Sequence, residues 1–203
     1  MEDTALIRRC LNGGAEAYGT LVNRYSARIL SLAFAMTGDR HEAEDIAQDT
    51  FVRAYRGLAR FRHKAKFSSW LYQIALNLCR DRLKSRGRQA RRVEDEELAV
   101  LSPDPARPVP RVLVEEEFSR RTQEAIAALP VLYREAFVLR HLAGKDYSEI
   151  ARILGVPAQT ARVRAYRARE MLRESLAPNV DTFWREKAAR EKAKAGTVRE
   201  ATP

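Results

Sequence analysis

The chain has 203 residues, 45% hydrophobic and 32% charged, and its 37 lysines and arginines outnumber 27 aspartates and glutamates for a formal net charge of +10. That is enough apolar material for a core, more naturally as two small domains than as one large one, and a cationic excess of this size favours polyanions, nucleic acid foremost. The apolar run from Ile29 to Met36 is too short to span a bilayer and the opening Met1-Glu-Asp-Thr lacks the basic start of a signal peptide, so a cytoplasmic protein is expected.

The first helical period runs through Leu6, Ile7, Cys10 and Leu11 and breaks at Asn12-Gly-Gly14. It resumes through Tyr18, Leu21, Val22, Tyr25, Ile29, Leu32 and Ala33 and stops at Thr37-Gly-Asp39. Asp39 is placed to cap a third helix, with Glu42 at the reciprocal position, and Ala43, Ile46, Ala47, Thr50, Phe51, Ala54 and Leu58 give that helix an inward stripe. Its other face gathers Glu44, Asp45, Gln48, Asp49 and Arg53. Acids clustered in so basic a chain are either a solvated face or a docking surface for a basic protein element, where complementary charge steers association and fixes register.

From Arg60-Phe-Arg-His-Lys-Ala-Lys-Phe-Ser-Ser-Trp-Leu-Tyr72, cations alternate with aromatics. Cations follow a phosphate backbone and aromatic faces stack on bases, a combination suited to single-stranded nucleic acid. Trp70 reads either as core or as stacking platform, and Phe61 and Phe67 as pocket walls or core. From Leu71 a clear helix carries Leu71, Ile74, Ala75, Leu78 and Arg82 on one face, with Gln73, Asn77, Arg80, Asp81 and Lys84 on the other. Those polar groups are able to meet base edges.

Residues 87–117 hold a basic cluster with Arg88, Arg91 and Arg92, the acidic Glu94-Asp-Glu-Glu97, and Pro103, Pro105, Pro108 and Pro110. With no period, this stretch is expected to be an extended linker that lets each domain find its own target. Ile126, Leu129, Phe137 and Leu142 then predict two helices ahead of a helix-turn-helix. Asp146 is its cap and Glu149 the reciprocal residue, Ile150, Ala151 and Leu154 point inward, Gly155 makes the turn, and Pro157 opens the second helix. That helix displays Gln159, Thr160, Arg162, Arg164, Tyr166, Arg167 and Arg169 with no acid before Glu170, as insertion between phosphate ridges requires. Residues 178–203, with Phe183 and Trp184, form a highly charged tail.

Cys10 and Cys79 make no disulfide framework, and His41, His63 and His141 show no ligand spacing with them. No phosphate loop, catalytic triad or zinc motif occurs, so no catalytic residue, metal, cofactor or small-molecule substrate is expected. A stand-alone helix-turn-helix regulator would account for residues 119–177 but leave the first module idle.

Four segments in order, Ala17-Tyr-Gly-Thr-Leu-Val-Asn-Arg-Tyr25, Ala43-Glu-Asp-Ile-Ala-Gln-Asp-Thr-Phe51, Phe67-Ser-Ser-Trp-Leu-Tyr-Gln-Ile-Ala-Leu-Asn77 with Asp81, and Ala128-Leu-Pro through Arg169, resemble the extracytoplasmic-function (ECF) branch of the sigma-70 family of bacterial transcription initiation factors. The resemblance implies an all-α protein of two small helical domains: a sigma-two domain over 1–86 and a sigma-four domain over 118–177, joined by the linker at 87–117 and followed by the tail. It implies partners as well: core RNA polymerase, promoter DNA as duplex and as melted single strand, and an anti-sigma factor. Asp45, Gln48, Asp49 and Arg53 would dock on polymerase. Phe61, Lys64, Lys66, Phe67, Ser69, Trp70, Gln73, Asn77, Arg80, Asp81 and Lys84 would melt and read the minus-ten element. Flipping a base out of the stack costs a few kcal/mol, to be returned by stacking and edge hydrogen bonds.

In the family register Gln159, Arg162, Tyr166 and Arg167 would face the minus-thirty-five element, with Thr160 and Arg164 holding phosphates or the helix start. The sequence departs from the usual Gly-Thr-Val-Lys-Ser-Arg-Leu-like pattern, showing Gln159-Thr-Ala-Arg-Val-Arg-Ala165. The small Ala161, Ala165 and Ala168 imply either closer packing or a rotation that buries Val163.

Overall fold

A computed structural model describes residues 2–61, 66–94 and 113–177. Lys64, expected at the minus-ten surface, the prolines of the linker and the tail at 178–203 lie outside them. The described residues form helices: α1 (Asp3–Leu11), α2 (Ala15–Thr37), α3 (Arg40–Gly57) with a 3-10 turn at Leu58–Arg60, α4 (Phe67–Glu94), α5 (Leu113–Ala128), α6 (Val131–Phe137) running into a π turn at Val138–Leu142, α7 (Tyr147–Leu154), and α8 (158–177).

The expected stops and caps hold the first three helices in place. Gly38 ends α2 in the left-handed region at φ 73°, where a side chain would be strained. Asp39 then accepts the Glu42 amide at 2.9 Å to start α3. The second half of the expected box is not made: the Glu42 carboxylate accepts from Arg86 Nε at 2.8 Å instead. Leu21, Ile29 and Leu32 of α2, Ala43, Ile46 and Ala54 of α3, and Leu71, Ala75 and Leu78 of α4 are buried together.

Helix α4 departs from expectation in two ways. It does not end near residue 86 but continues through Gly87 to Glu94, because Gly87 stands in open space and a lone exposed glycine costs a helix only about 1 kcal/mol. It also carries a second apolar stripe, Tyr72, Leu76 and Cys79, all at most 1% exposed. This stripe is turned roughly 100° from the first, one residue's rotation. It faces the second module.

The two modules therefore pack together, with one apolar core running through both. Lys145 of the α7 approach places its ammonium 5.3 Å from the Tyr72 ring centre. Arg134 of α6 is buried and donates to the carbonyls of Met36, Ala127 and Leu129, tying the end of α2 to the α5–α6 turn. A cation suits that place, since a helix C-terminus carries partial negative charge.

In the helix-turn-helix, Asp146 accepts the Glu149 amide at 2.8 Å and Gly155 closes α7 at φ 68°. Helix α8 buries Ala161, Ala165, Ala168 and Leu172, while Val163 is 46% exposed. The alanines thus bring α8 close to its neighbours without any rotation to use Val163.

Candidate polymerase and nucleic-acid interfaces

On the outer side of α3, Asp45, Gln48, Asp49 and Arg53 are all exposed. Asp45 makes a loose 3.7 Å pair with Arg82 of α4, both partners well solvated, a contact of little energetic weight. Next to Asp49 along the same side, three residues on, lies Val52, 46% exposed, with Tyr55 a further turn along at 54%. Tyr55 meets Tyr18 edge-on at 4.9 Å, and the Tyr18 hydroxyl donates to the Phe51 carbonyl at 2.5 Å. Burial raises the Tyr18 pKa. The signal of Val52 and Tyr55 in the sequence is spacing: Val52 stands seven residues after Asp45 and three after Asp49, and Tyr55 stands seven after Gln48 and three after Val52.

The start of α4 holds an aromatic cluster. The Phe61 ring lies 5.0 Å from Trp70 and 5.8 Å from Phe67, and Phe67 lies 5.8 Å from Tyr25. Phe67 is buried and Trp70 half-buried, so the core reading holds for Phe67. Gly57 makes room for the indole: a Cβ there would lie 3.2 Å from Trp70 Cζ2. Ser69 is buried with no partner for its hydroxyl.

Gln73, Asn77, Asp81 and Lys84 form the exposed side of α4. Arg80, on the same side, is engaged on every guanidinium nitrogen. Its Nη1 donates to Asn77 Oδ1 at 2.9 Å, while Nε and Nη2 both reach the Glu135 carboxylate of α6, the latter at 2.8 Å. That hydrogen bond raises the already high Arg80 pKa, and the two-pronged contact fixes the plane of the guanidinium. Lys66 lies 3.0 Å from Glu149 of α7, and Lys145 donates to Ser68 Oγ at 3.0 Å. Glu149 thus pairs with Lys66, and stands 3.8 Å from Lys145, in place of the reciprocal arm of the α7 cap. Burial lowers the Lys145 pKa, with nearby Glu149 opposing.

Helix α8 is arranged differently. Gln159, Arg162, Tyr166 and Arg167 are exposed, and Thr160 and Arg164 are half-buried. Arg162 and Arg140 both approach the Tyr147 ring, at 5.3 and 4.8 Å from its centre, and Arg169 lies 5.6 Å over Tyr166. Rings thus hold guanidinium groups on this face without consuming their hydrogen-bond donors. Among the described residues no group of three or more His, Cys, Asp or Glu is placed to hold a metal ion.

An acid-faced helix, a cation-aromatic helix and a helix-turn-helix on one scaffold define a multi-surface transcription protein. Its sequence matches two family models, Sigma-70 region 2 over residues 21–89 and Sigma-70, region 4 over residues 119–172. The chain belongs to the sigma-70 family of RNA polymerase sigma factors, in its ECF branch. It is 34% identical to the RNA polymerase sigma-H factor of Pseudomonas aeruginosa over 189 residues, 87% of this chain and 95% of that one. It is 36% identical to the ECF RNA polymerase sigma factor SigW of Bacillus subtilis over 176 residues, 84% of this chain and 94% of that one. Among solved structures it resembles CnrH in complex with the cytosolic domain of CnrY, with 25% identity, a TM-score of 0.65, and coverage of 87% and 97% of the two chains. It shares its fold, at 24% identity and a TM-score of 0.63, with the sigma factor RpoE bound to the anti-sigma factor NepR from Bartonella quintana, over 79% and 96% of the chains. As a sigma factor it acts with core RNA polymerase and promoter DNA.

Proposed function

We propose that the three surfaces divide the work of initiation. Asp45, Gln48, Asp49 and Arg53, around the exposed Val52, dock on a basic element of core polymerase. Gln73, Asn77, Arg80, Asp81 and Lys84, with Lys66 and the Phe61–Trp70 aromatic pair, hold the melted minus-ten strand. Gln159, Arg162, Tyr166 and Arg167 read the minus-thirty-five duplex, with Thr160 and Arg164 at the helix start and phosphates. The protein works by binding rather than catalysis, in the cytoplasm, where core polymerase and promoter DNA are found. An anti-sigma factor that covers these surfaces fits the same reading.

The observation that carries this proposal is the segregation of charge: in a chain of net +10, acids cluster on the outer side of α3 while α8 turns only cations and neutral groups outward ahead of Glu170. One protein surface is thereby matched to a basic protein and another to DNA. The test is transcription from genomic fragments by purified core polymerase with and without the protein. Specific starts that require it support the assignment; duplex footprints without polymerase binding would point to a stand-alone regulator. Reversing Asp45 and Asp49 together to Lys is expected to weaken core binding at least tenfold with helicity intact, read by titration of labelled protein. Unchanged core affinity would remove α3 from the docking surface.

A further inference from the structure

Helix α8 carries a valine in the middle of a side whose other groups are polar or aromatic. Val163 stands two residues from both Ala161 and Ala165, about 200° round the helix from each. Those alanines are at most 2% exposed, whereas Val163 is 46% exposed. It points away from the core and adds little burial to the fold. A β-branched residue is also a poorer helix former than alanine, so neither packing nor propensity accounts for it. Its surroundings are ordered for something else. Gln159, Tyr166 and Arg167, each about one turn away, are exposed with it, and Tyr166 extends the apolar surface at 54%. The cations nearby are drawn onto rings, Arg162 at 5.3 Å from the centre of Tyr147 and Arg169 at 5.6 Å from that of Tyr166. An aliphatic patch is thereby left open between them.

We propose that Val163 is a specificity-determining residue of the duplex-reading surface, and that it selects a thymine by packing against the C5 methyl group in the major groove. The inference rests on the assignment of α8 to the minus-thirty-five duplex. Thymine alone presents a methyl group in that groove, while the other bases present ring nitrogens, carbonyl oxygens or amino groups. Valine has neither donor nor acceptor. Laid on a polar base edge it removes water and returns no hydrogen bond, which is a loss for every base but thymine. Laid on the methyl group it buries apolar surface on both partners. The arginines and Gln159 supply attraction and hydrogen bonds to the duplex, and Val163 adds a preference at one base position.

The test uses holoenzyme, the full chain assembled with purified core RNA polymerase, and fluorescein-labelled duplexes that it selects from a randomised library. Each thymine of the selected sites is replaced in turn by uracil, which deletes only the methyl group. One thymine is expected whose replacement weakens wild-type binding roughly fourfold, the worth of one buried methyl group. Holoenzyme carrying V163A is expected to bind the two forms nearly alike, and alanine, the better helix former, keeps α8 intact. Selection with V163S is expected to return a different base at that position and the same bases elsewhere. Selected sites with no uracil-sensitive thymine would overturn the methyl contact while leaving α8 on the duplex. A thymine that stays equally sensitive in V163A would give the methyl group to another side chain and overturn the role of Val163. Unchanged selection and affinity with R162A and R167A together would overturn the placement of α8 itself, which separates failure of that assignment from failure of the valine.

Discussion

Helices α4 and α8 are the two helices proposed to meet DNA, and their cations are held in different ways. Helix α8 turns Arg162, Tyr166 and Arg167 outward, with guanidinium groups laid on Tyr147 and Tyr166 rather than paired with acids of another helix. Helix α4 has comparable chemistry, yet Arg80 and Lys66 are engaged by carboxylates of the other module. The difference teaches that residue type sets what a surface is able to bind, while long-range packing sets which of its groups already have partners.

The most disruptive change to that contrast is Arg134→Ala. It strands the carbonyls of Met36, Ala127 and Leu129 in a buried place, each an acceptor whose loss of partner is costly. We expect a loss of about 3 kcal/mol in urea unfolding, with separation of the modules before either melts. Next, Arg162→Ala or Arg167→Ala should lower duplex affinity by roughly 1–3 kcal/mol if the side chain reads a base, or weaken all sequences alike and flatten the salt dependence if it holds phosphate. Neither should change single-strand binding, and a change there would blur the distinction between the two helices.

Gly155→Ala has open space for its methyl group but forces a left-handed backbone on an L-residue, at an expected cost of roughly 1–2 kcal/mol in thermal unfolding of the second module. The smallest effect sharpens the account of α8. Tyr147→Leu should cost about 0.5–1 kcal/mol in duplex binding by releasing Arg162, whereas Tyr147→Phe should retain most of the affinity. Equal losses for Leu and Phe would assign the role to the hydroxyl instead of the ring face.

How much of this was legible in the sequence follows the range of each interaction. The caps at Asp39 and Asp146 and the glycine stops at Gly38 and Gly155 are local, and all four stand where the sequence placed them. The reciprocal arms did not, because Glu42 and Glu149 found Arg86 and Lys66, partners set by tertiary contact. The α8 stripe of alanines was visible, and only packing could decide between close approach and rotation. On α4 the stripe of Tyr72, Leu76 and Cys79 is visible at helical spacing beside the first, but only the second module, far along the chain, buries it. Arg80 and Glu135 are separated by 55 positions, and nothing local marks them as partners. The α3 acids are legible as a cluster, and Val52 and Tyr55 are legible by their spacing from that cluster, with their exposure confirming the side they share.

The proposed division of labour sets the acid face of α3 on core polymerase and the cationic face of α8 on duplex DNA. It is tested most directly by titrating core RNA polymerase, and separately a promoter duplex, with labelled full-length protein carrying D45K with D49K or R162A with R167A. Loss of core binding only in the first and of duplex binding only in the second is the result expected; core binding unmoved by the α3 reversal would contradict it.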